Sequence, residues 1–199
     1  EKMSKSLYNF VTLRKALDSY NPLVLRYFMM STHYRSPIDL TDENLDNAIN
    51  SLSRLQNCVD RLLSCDGFDS SDDLELDQQI QALFDGFTNH LDNDFDISGA
   101  LGFVFNFVTY VNTALDNEKL SKSNLEVIID KFKELNSVLG FLIIEKSEIP
   151  DDVSDLADKR LDAKLNKDYQ LADSLRDQIL KLGFEIKDVK NGYEIKRKS

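Results

Sequence analysis

The chain has 199 residues, of which 42% are hydrophobic and 30% charged, and its net charge is −11. That is enough apolar material for one or two packed domains. No apolar run reaches 18 residues, so neither a membrane span nor a membrane partner is expected. The charge is unevenly placed: +4 over residues 1–37, −18 over 38–157 and +3 over 158–199. A polyanion is therefore steered to the two ends and kept off the centre.

The chain opens on Glu1-Lys2-Met3-Ser4-Lys5-Ser6, a run rich in lysine and serine. Thr12 is placed to cap a short helix from Leu13 to Tyr20. Asn21-Pro22 restarts the helix with proline at its first position. Leu23 to Ser31 is almost wholly apolar, with Arg26 as its lone charge, and predicts a helix buried on most sides. His33 to Leu40 reads as an extended connection pinned by Pro37. Thr41, followed by Asp42 and Glu43, opens a long helix with Leu45, Ala48, Ile49, Leu52, Leu55, Val59, Leu62 and Leu63 inward. Cys58 and Cys65 lie two helical turns apart, roughly 10 Å, which is beyond disulfide reach. They read as ordinary thiols. Together with His33 and His90 they form no close-spaced ligand pair, so no metal site is expected in this chain.

Residues 65–73 form a polar break. A third long helix carries Leu76, Ile80, Leu83, Phe84, Phe87 and Leu91. After a hinge from Asp92 to Ile97, Ser98 is the expected cap of a helix apolar nearly all round, the central member of a bundle. Ser121 or Ser123 starts the next, with Leu125, Ile128, Ile129, Phe132, Leu135, Val138, Leu139 and Leu142 inward. Long helices joined by short links predict an antiparallel bundle. Pro150 and the acidic run around it mark a boundary. A helix over 153–165 comes next, then Asp168 as the cap for Tyr169 to Leu182, with Gly183 as the stop. Phe184–Lys187 and Tyr193–Lys196 alternate at period two about Asn191-Gly192, which predicts a hairpin. The expected fold class is mainly α: an antiparallel helical bundle with a small C-terminal helix-helix-β-hairpin unit.

Four ordered blocks carry a resemblance. Lys2 to Ser6, K-M-S-K-S, resembles the lysine-serine signature of the class I aminoacyl-tRNA synthetases. The stretch from Leu7 through Ser31-Thr32-His33-Tyr34-Arg35-Ser36-Pro37 resembles the segment after that signature in cysteinyl-tRNA synthetases. Leu25-Arg26 falls where the family has the Leu-Arg of its anticodon-binding helical domain. Asp94-Phe95-Asp96 resembles an acidic block of the family, with Asp96 in place of the usual Asn. Arg160 to Lys164, Lys167-Asp168-Tyr169, Ala172-Asp173, Arg176-Asp177, Gly183, Asp188 and Gly192 complete the series. The resemblance covers essentially the whole chain.

Members of that family join cysteine to tRNA(Cys) in two steps, through cysteinyl-adenylate formed from ATP. The resemblance implies that Lys5 contacts ATP and that Lys2 supports closure of the loop, with Met3, Ser4 and Ser6 completing the ATP-binding segment. Mobile ammonium groups that meet charge developing on the departing pyrophosphate lower the barrier. A flexible loop lets them arrive only with substrate. The family's nucleotide-binding sheet, its H-I-G-H signature and the zinc that grips the cysteine thiolate belong to a catalytic half whose residues this chain lacks. The chain is thus expected to be the C-terminal portion of a longer enzyme, cytoplasmic and monomeric, and inactive alone.

The resemblance also places a reader of the G-C-A anticodon in the tail, on Lys164, Tyr169, Asp173 and Asp188. Carboxylates accept from base amines and aromatic rings stack on base faces. The family often has Arg and Trp where this chain has Lys164 and Tyr169; lysine is a point donor rather than a fork. Arg26 and Arg35, with Arg14, Lys15 and His33, are candidates to meet tRNA phosphates. Arg26 and His33 read equally well as structural residues. Tyr169 also reads as packing on the hairpin, and Asp173 and Asp177 as helix-surface partners of Arg176 or Lys181. The expected division is 1–37 (ATP loop and stem-contact connection), 38–147 (helical bundle) and 148–199 (anticodon recognition). Two alternatives stand beside this: an RNA-binding module without catalysis, and a cysteine ligase of the mycothiol pathway, which the tail at 153–199 disfavours.

Overall fold

The computed structural model describes residues 11–69, 75–145, 150–189 and 192–197. The ATP-loop candidates Lys2, Met3, Ser4, Lys5 and Ser6 lie outside these residues, as do part of the polar break and Asn191 of the expected turn. Two compact units emerge, one running through Glu145 and one from Lys146.

The first unit holds α1 (Leu13–Ser19), α2 (Pro22–Met30), α3 (Asp42–Ser64), α4 (Leu76–Asp92), α5 (Ile97–Asp116) and α6 (Lys122–Leu139). Thr12, Asn21 and Thr41 each accept a hydrogen bond from a backbone N–H in the first turn of the helix they open. Ser121 caps α6 in a reciprocal arrangement with Asn124. The cap of α5 is Asp96 rather than Ser98: its carboxylate accepts from the Gly99 N–H at 2.9 Å. Gly140 ends α6 in the left-handed region, φ 65°.

α5 is by length and composition apolar enough to cross a membrane. In this fold it packs against α3 and α4 and buries Ala100, Leu101, Val104, Phe107, Val108, Val111, Ala114 and Leu115. A helix apolar on several faces satisfies them by taking neighbours on several sides. Phe107 and Phe132 meet across α5 and α6 with ring centroids 5.8 Å apart.

Three apolar positions expected inward point outward. α2 buries Val24, Leu25, Tyr27 and Phe28, whereas Met29 is 61% exposed. Those four positions share one face of the helix, and position 29 falls about 40° beyond its edge at Leu25. Ile49 of α3 and Val138 of α6 are likewise exposed, the latter at 47%. Cys58, absent from the expected inward set, is fully buried. After α6, the Asn136 side chain accepts from the Phe141 and Leu142 N–H groups and donates to the Leu142 carbonyl. The Gln56 amide of α3 pairs in the same way with the backbone of Ile143. These bonds fold Phe141 and Leu142 back into the core.

The second unit holds α7 (Asp151–Leu165), α8 (Tyr169–Lys181), β1 (Phe184–Val189) and β2 (Gly192–Arg197). Gly183, at φ 85°, turns the chain from α8 into β1. The strands are antiparallel, with Phe184 opposite Arg197, Ile186 opposite Ile195 and Asp188 opposite Tyr193. Val153, Ala157, Ile179, Phe184 and Ile186 form the core. This is a small core, so each buried contact counts heavily.

Candidate nucleic-acid interface

In the second unit, α7 and α8 are joined by only Asn166, Lys167 and Asp168. The end of α7 and the start of α8 therefore share one end of the unit. Asp168 caps α8 by accepting from the Leu171 N–H, and Lys167 takes φ 60° to make the turn. Lys164 and Tyr169 flank this corner. Asp173 is one turn along α8 from Tyr169, and both side chains are exposed. Tyr169 is 62% exposed.

Asp188 comes to the same corner from β1. Phe184 and Ile186 point into the core, and at period two Asp188 continues that side of the strand. Its carboxylate meets two cations of α7 one helical turn apart. Arg160 donates from both terminal nitrogens, at 2.8 Å to Oδ1 and 3.2 Å to Oδ2. Lys164 Nζ donates to Oδ2 at 2.7 Å. The Arg160 and then the Lys164 hydrogen bonds hold the Asp188 carboxyl well below the usual carboxylate range. Two of the four tail candidates, Lys164 and Asp188, are thus directly bonded to one another. On the facing part of α7, Asp158 accepts from the Tyr193 hydroxyl. Burial, followed by that bond, pushes the Tyr193 phenol up to about 12.

In the first unit, three of the candidate phosphate contacts, Arg26, His33 and Arg35, are engaged within the protein. Arg26 donates from Nε to the Leu139 carbonyl at 2.6 Å and from Nη2 to that of Val138 at 3.4 Å. It thereby satisfies the end of α6. Tyr34, Arg35 and His33 converge on Asp94: the Tyr34 hydroxyl at 2.6 Å, Arg35 at 3.0 Å and His33 Nε2 at 3.7 Å. Arg35 also lies 5.4 Å from the Tyr34 ring centroid. Arg14 and Lys15 are exposed on α1.

Asp94 and Phe95 both adopt left-handed backbone, φ 61° and 53°. This lets the Phe95 and Asp96 N–H groups return to the Leu91 and His90 carbonyls and close the end of α4. Asp96 then takes His90 Nδ1 at 2.8 Å. The Gly99 N–H, and after it His90, lower the Asp96 carboxyl. The acidic block that looked like a motif is here a helix-to-helix corner.

Two residues escaped the sequence reading as site members. Asp94 gathers the 33–35 segment, and nothing in local pattern announces a contact across 60 positions. Arg160 had a visible signal: an aspartate that extends an inward apolar alternation requires a buried cation. Among the described residues, no three His, Cys, Asp or Glu side chains come together to hold a metal. His33 pairs with Asp94 and His90 with Asp96.

Residues 1–50 match the family model described as tRNA synthetases class I (C) catalytic domain, and residues 86–143 match the DALR domain. Leu25-Arg26 falls in the first match, outside the second. The cysteine–tRNA ligase of Oenococcus oeni is 34% identical over 200 residues, covering 99% of this chain and 43% of that protein. That of Chlamydia felis is 36% identical over 199 residues, covering 99% and 42%. That of Bacillus licheniformis is 33% identical over 201 residues, covering 99% and 43%. The chain spans about two fifths of the length of the curated relatives it matches. With two ordered domain matches and relatives that align along its whole extent, this chain belongs to the cysteinyl-tRNA synthetase family.

Proposed function

We propose that this chain is the tRNA-binding, C-terminal part of a cysteine–tRNA ligase, a cytoplasmic and monomeric enzyme that attaches cysteine to tRNA(Cys) with ATP. The observation that carries this reading is the convergence at the α7–α8 corner. A lysine ammonium, an oriented carboxylate, an exposed aromatic ring and a second exposed carboxylate stand at one end of a small unit. Single-stranded bases are recognised by that combination of stacking face, donors and acceptors. The likeness to relatives named cysteine–tRNA ligase supports tRNA(Cys) as that RNA.

In this reading Tyr169 stacks on a base of the anticodon loop, and Asp173 and Asp188 accept from base amines. Lys164 donates to a base or a neighbouring phosphate. The acidic first unit keeps the RNA backbone away from its centre. Lys5 meets ATP phosphate and Lys2 assists, with Met3, Ser4 and Ser6 alongside, as the resemblance implies. The remainder of the parent protein supplies the adenylate site and, by family resemblance, zinc. Arg35, more than half exposed beside Asp94, remains a candidate to touch RNA backbone; Arg26 contributes mainly by holding α6.

The test is fluorescence anisotropy with labelled anticodon stem-loops. Asp173→Ala is expected to weaken binding of the cognate stem-loop by about 1–3 kcal/mol and to leave non-cognate stem-loops unchanged. Equal losses for every anticodon would contradict base reading. Cysteine-dependent ATP–pyrophosphate exchange by these 199 residues alone would contradict the division of labour.

A further inference from the structure

Arg160 poses a problem that stability does not solve. It is only 6% exposed, and its Nε is buried without a hydrogen-bond partner. A buried ion pair usually loses in desolvation about what it gains by attraction. In a unit with so small a core, an apolar residue at this position would serve folding at least as well.

What an arginine fork does, and an apolar residue or a lysine does not, is fix the plane of a carboxylate. Asp188 is 46% exposed at its side chain, so without the fork only the single Lys164 bond would hold it at the end of β1. A carboxylate has about four lone-pair positions. Arg160 fills one on each oxygen, and Lys164 fills the second on Oδ2. Among the described residues, one position on Oδ1 is left. Among the described residues, Lys164 Nζ in turn has two of its three hydrogens left, and its side chain is 34% exposed. An acceptor and a donor therefore stand side by side, held from behind by a buried guanidinium.

We propose that Arg160 is a positioning residue for base recognition: it fixes the Asp188 carboxylate so that the remaining Oδ1 acceptor and the Lys164 ammonium meet the edge of one anticodon base as an oriented pair. This rests on the reading of the tail as an anticodon binder. The ligand chemistry is a base edge carrying an N–H donor next to a ring or carbonyl acceptor. Orientation decides the discrimination, because every base offers some such pairing and only a fixed acceptor rejects the wrong arrangement. Both cations keep Asp188 ionised, so it stays an acceptor through neutral pH.

The test uses the full chain and four anticodon stem-loops, the cognate G-C-A and three with one anticodon base changed, with thermal melting as the folding control. The wild type is expected to reject at least one of the three changes, the one at the base that Asp188 meets, by about 5- to 100-fold. Arg160→Lys keeps the charge but loses the fork. It is expected to melt cooperatively and to lose most of that rejection, at the same base position as Asp188→Asn. The double variant should lose no more than either single one. Full rejection by a folded Arg160→Lys chain overturns the proposal while leaving anticodon reading intact, as does an equal loss for all four stem-loops. A wild type that rejects none of the three overturns both. Should Arg160→Lys not melt cooperatively, Asp188→Glu carries the test. It keeps the ion pair and shifts the acceptor by one methylene, so it is expected to lose the rejection and keep the melt. Full retention of rejection by that variant overturns the proposal.

Discussion

Arg26 reaches from α2 to the last turn of α6 and donates to the Leu139 carbonyl at 2.6 Å. The final carbonyls of a helix have no partner within it, and the helix C-terminus carries partial negative charge. A guanidinium placed there answers both needs. Gly140 comes next at φ 65°, and a Cβ at that position would lie 3.0–3.2 Å from the same guanidinium. The lone charge of an apolar helix thus works as a clamp between two helices 113 residues apart.

Arg26→Met is accordingly expected to lower the stability of the bundle by about 1–2 kcal/mol, reduced from the buried case because the side chain is partly in water. Urea unfolding measures this. If Arg26 instead contacts tRNA phosphate, the variant will unfold like the wild type. The logarithmic salt slope of tRNA binding would then fall by about 1.

The ion pair of Arg160 and Asp188 gives an acid signature. The folded-state carboxyl titrates below its unfolded value, so its contribution to stability is fully present above about pH 3.9. That contribution is lost as pH falls below this value toward the folded-state one. Asp188→Asn should be less stable than wild type at pH 7, with the gap narrowing steadily from pH 4 to pH 2. Thermal melts across that range check it. A constant gap would mean that the carboxylate charge contributes nothing.

The two thiols should separate cleanly. Cys58 is fully buried, and desolvation pushes its thiol up to about 12. Cys65 caps the end of α3 and is partly exposed. With a disulfide reagent at pH 8, one thiol is expected to react quickly. The other should react only on unfolding, because the thiolate is the nucleophile. Assignment by Cys65→Ser identifies the fast one, and two equal rates would contradict the burial of Cys58.

Much of the helical architecture was legible because its signals are local. Thr12, Asn21-Pro22, Thr41, Ser121 and Asp168 each act on the next three residues, and all five cap where their chemistry says they should. Asp96 displaced Ser98 because the turn through Asp94 and Phe95 begins the helix two residues earlier. Periodicity placed Phe132 and Leu135 inward, and both are buried. It failed for Met29 and Val138, because an apolar residue at the margin of a stripe is covered only if a neighbour lies on that side. Which neighbour lies where is tertiary information. The same limit explains the site. Lys164, Tyr169 and Asp173 stand at a corner whose shape is set by a three-residue loop. The bond between Lys164 and Asp188 joins residues 24 apart and awaits the hairpin register. The engagement of His33, Tyr34 and Arg35 by Asp94 was out of reach for the same reason.

The most direct test is a two-dimensional amide NMR titration of the chain with the tRNA(Cys) anticodon stem-loop. Chemical-shift changes are expected to concentrate at Lys164–Asp173 and at Asp188 and to saturate together, with α3 to α6 little changed. Changes centred on the acidic helices, or an identical map from a stem-loop of unrelated anticodon, would contradict base reading at the α7–α8 corner.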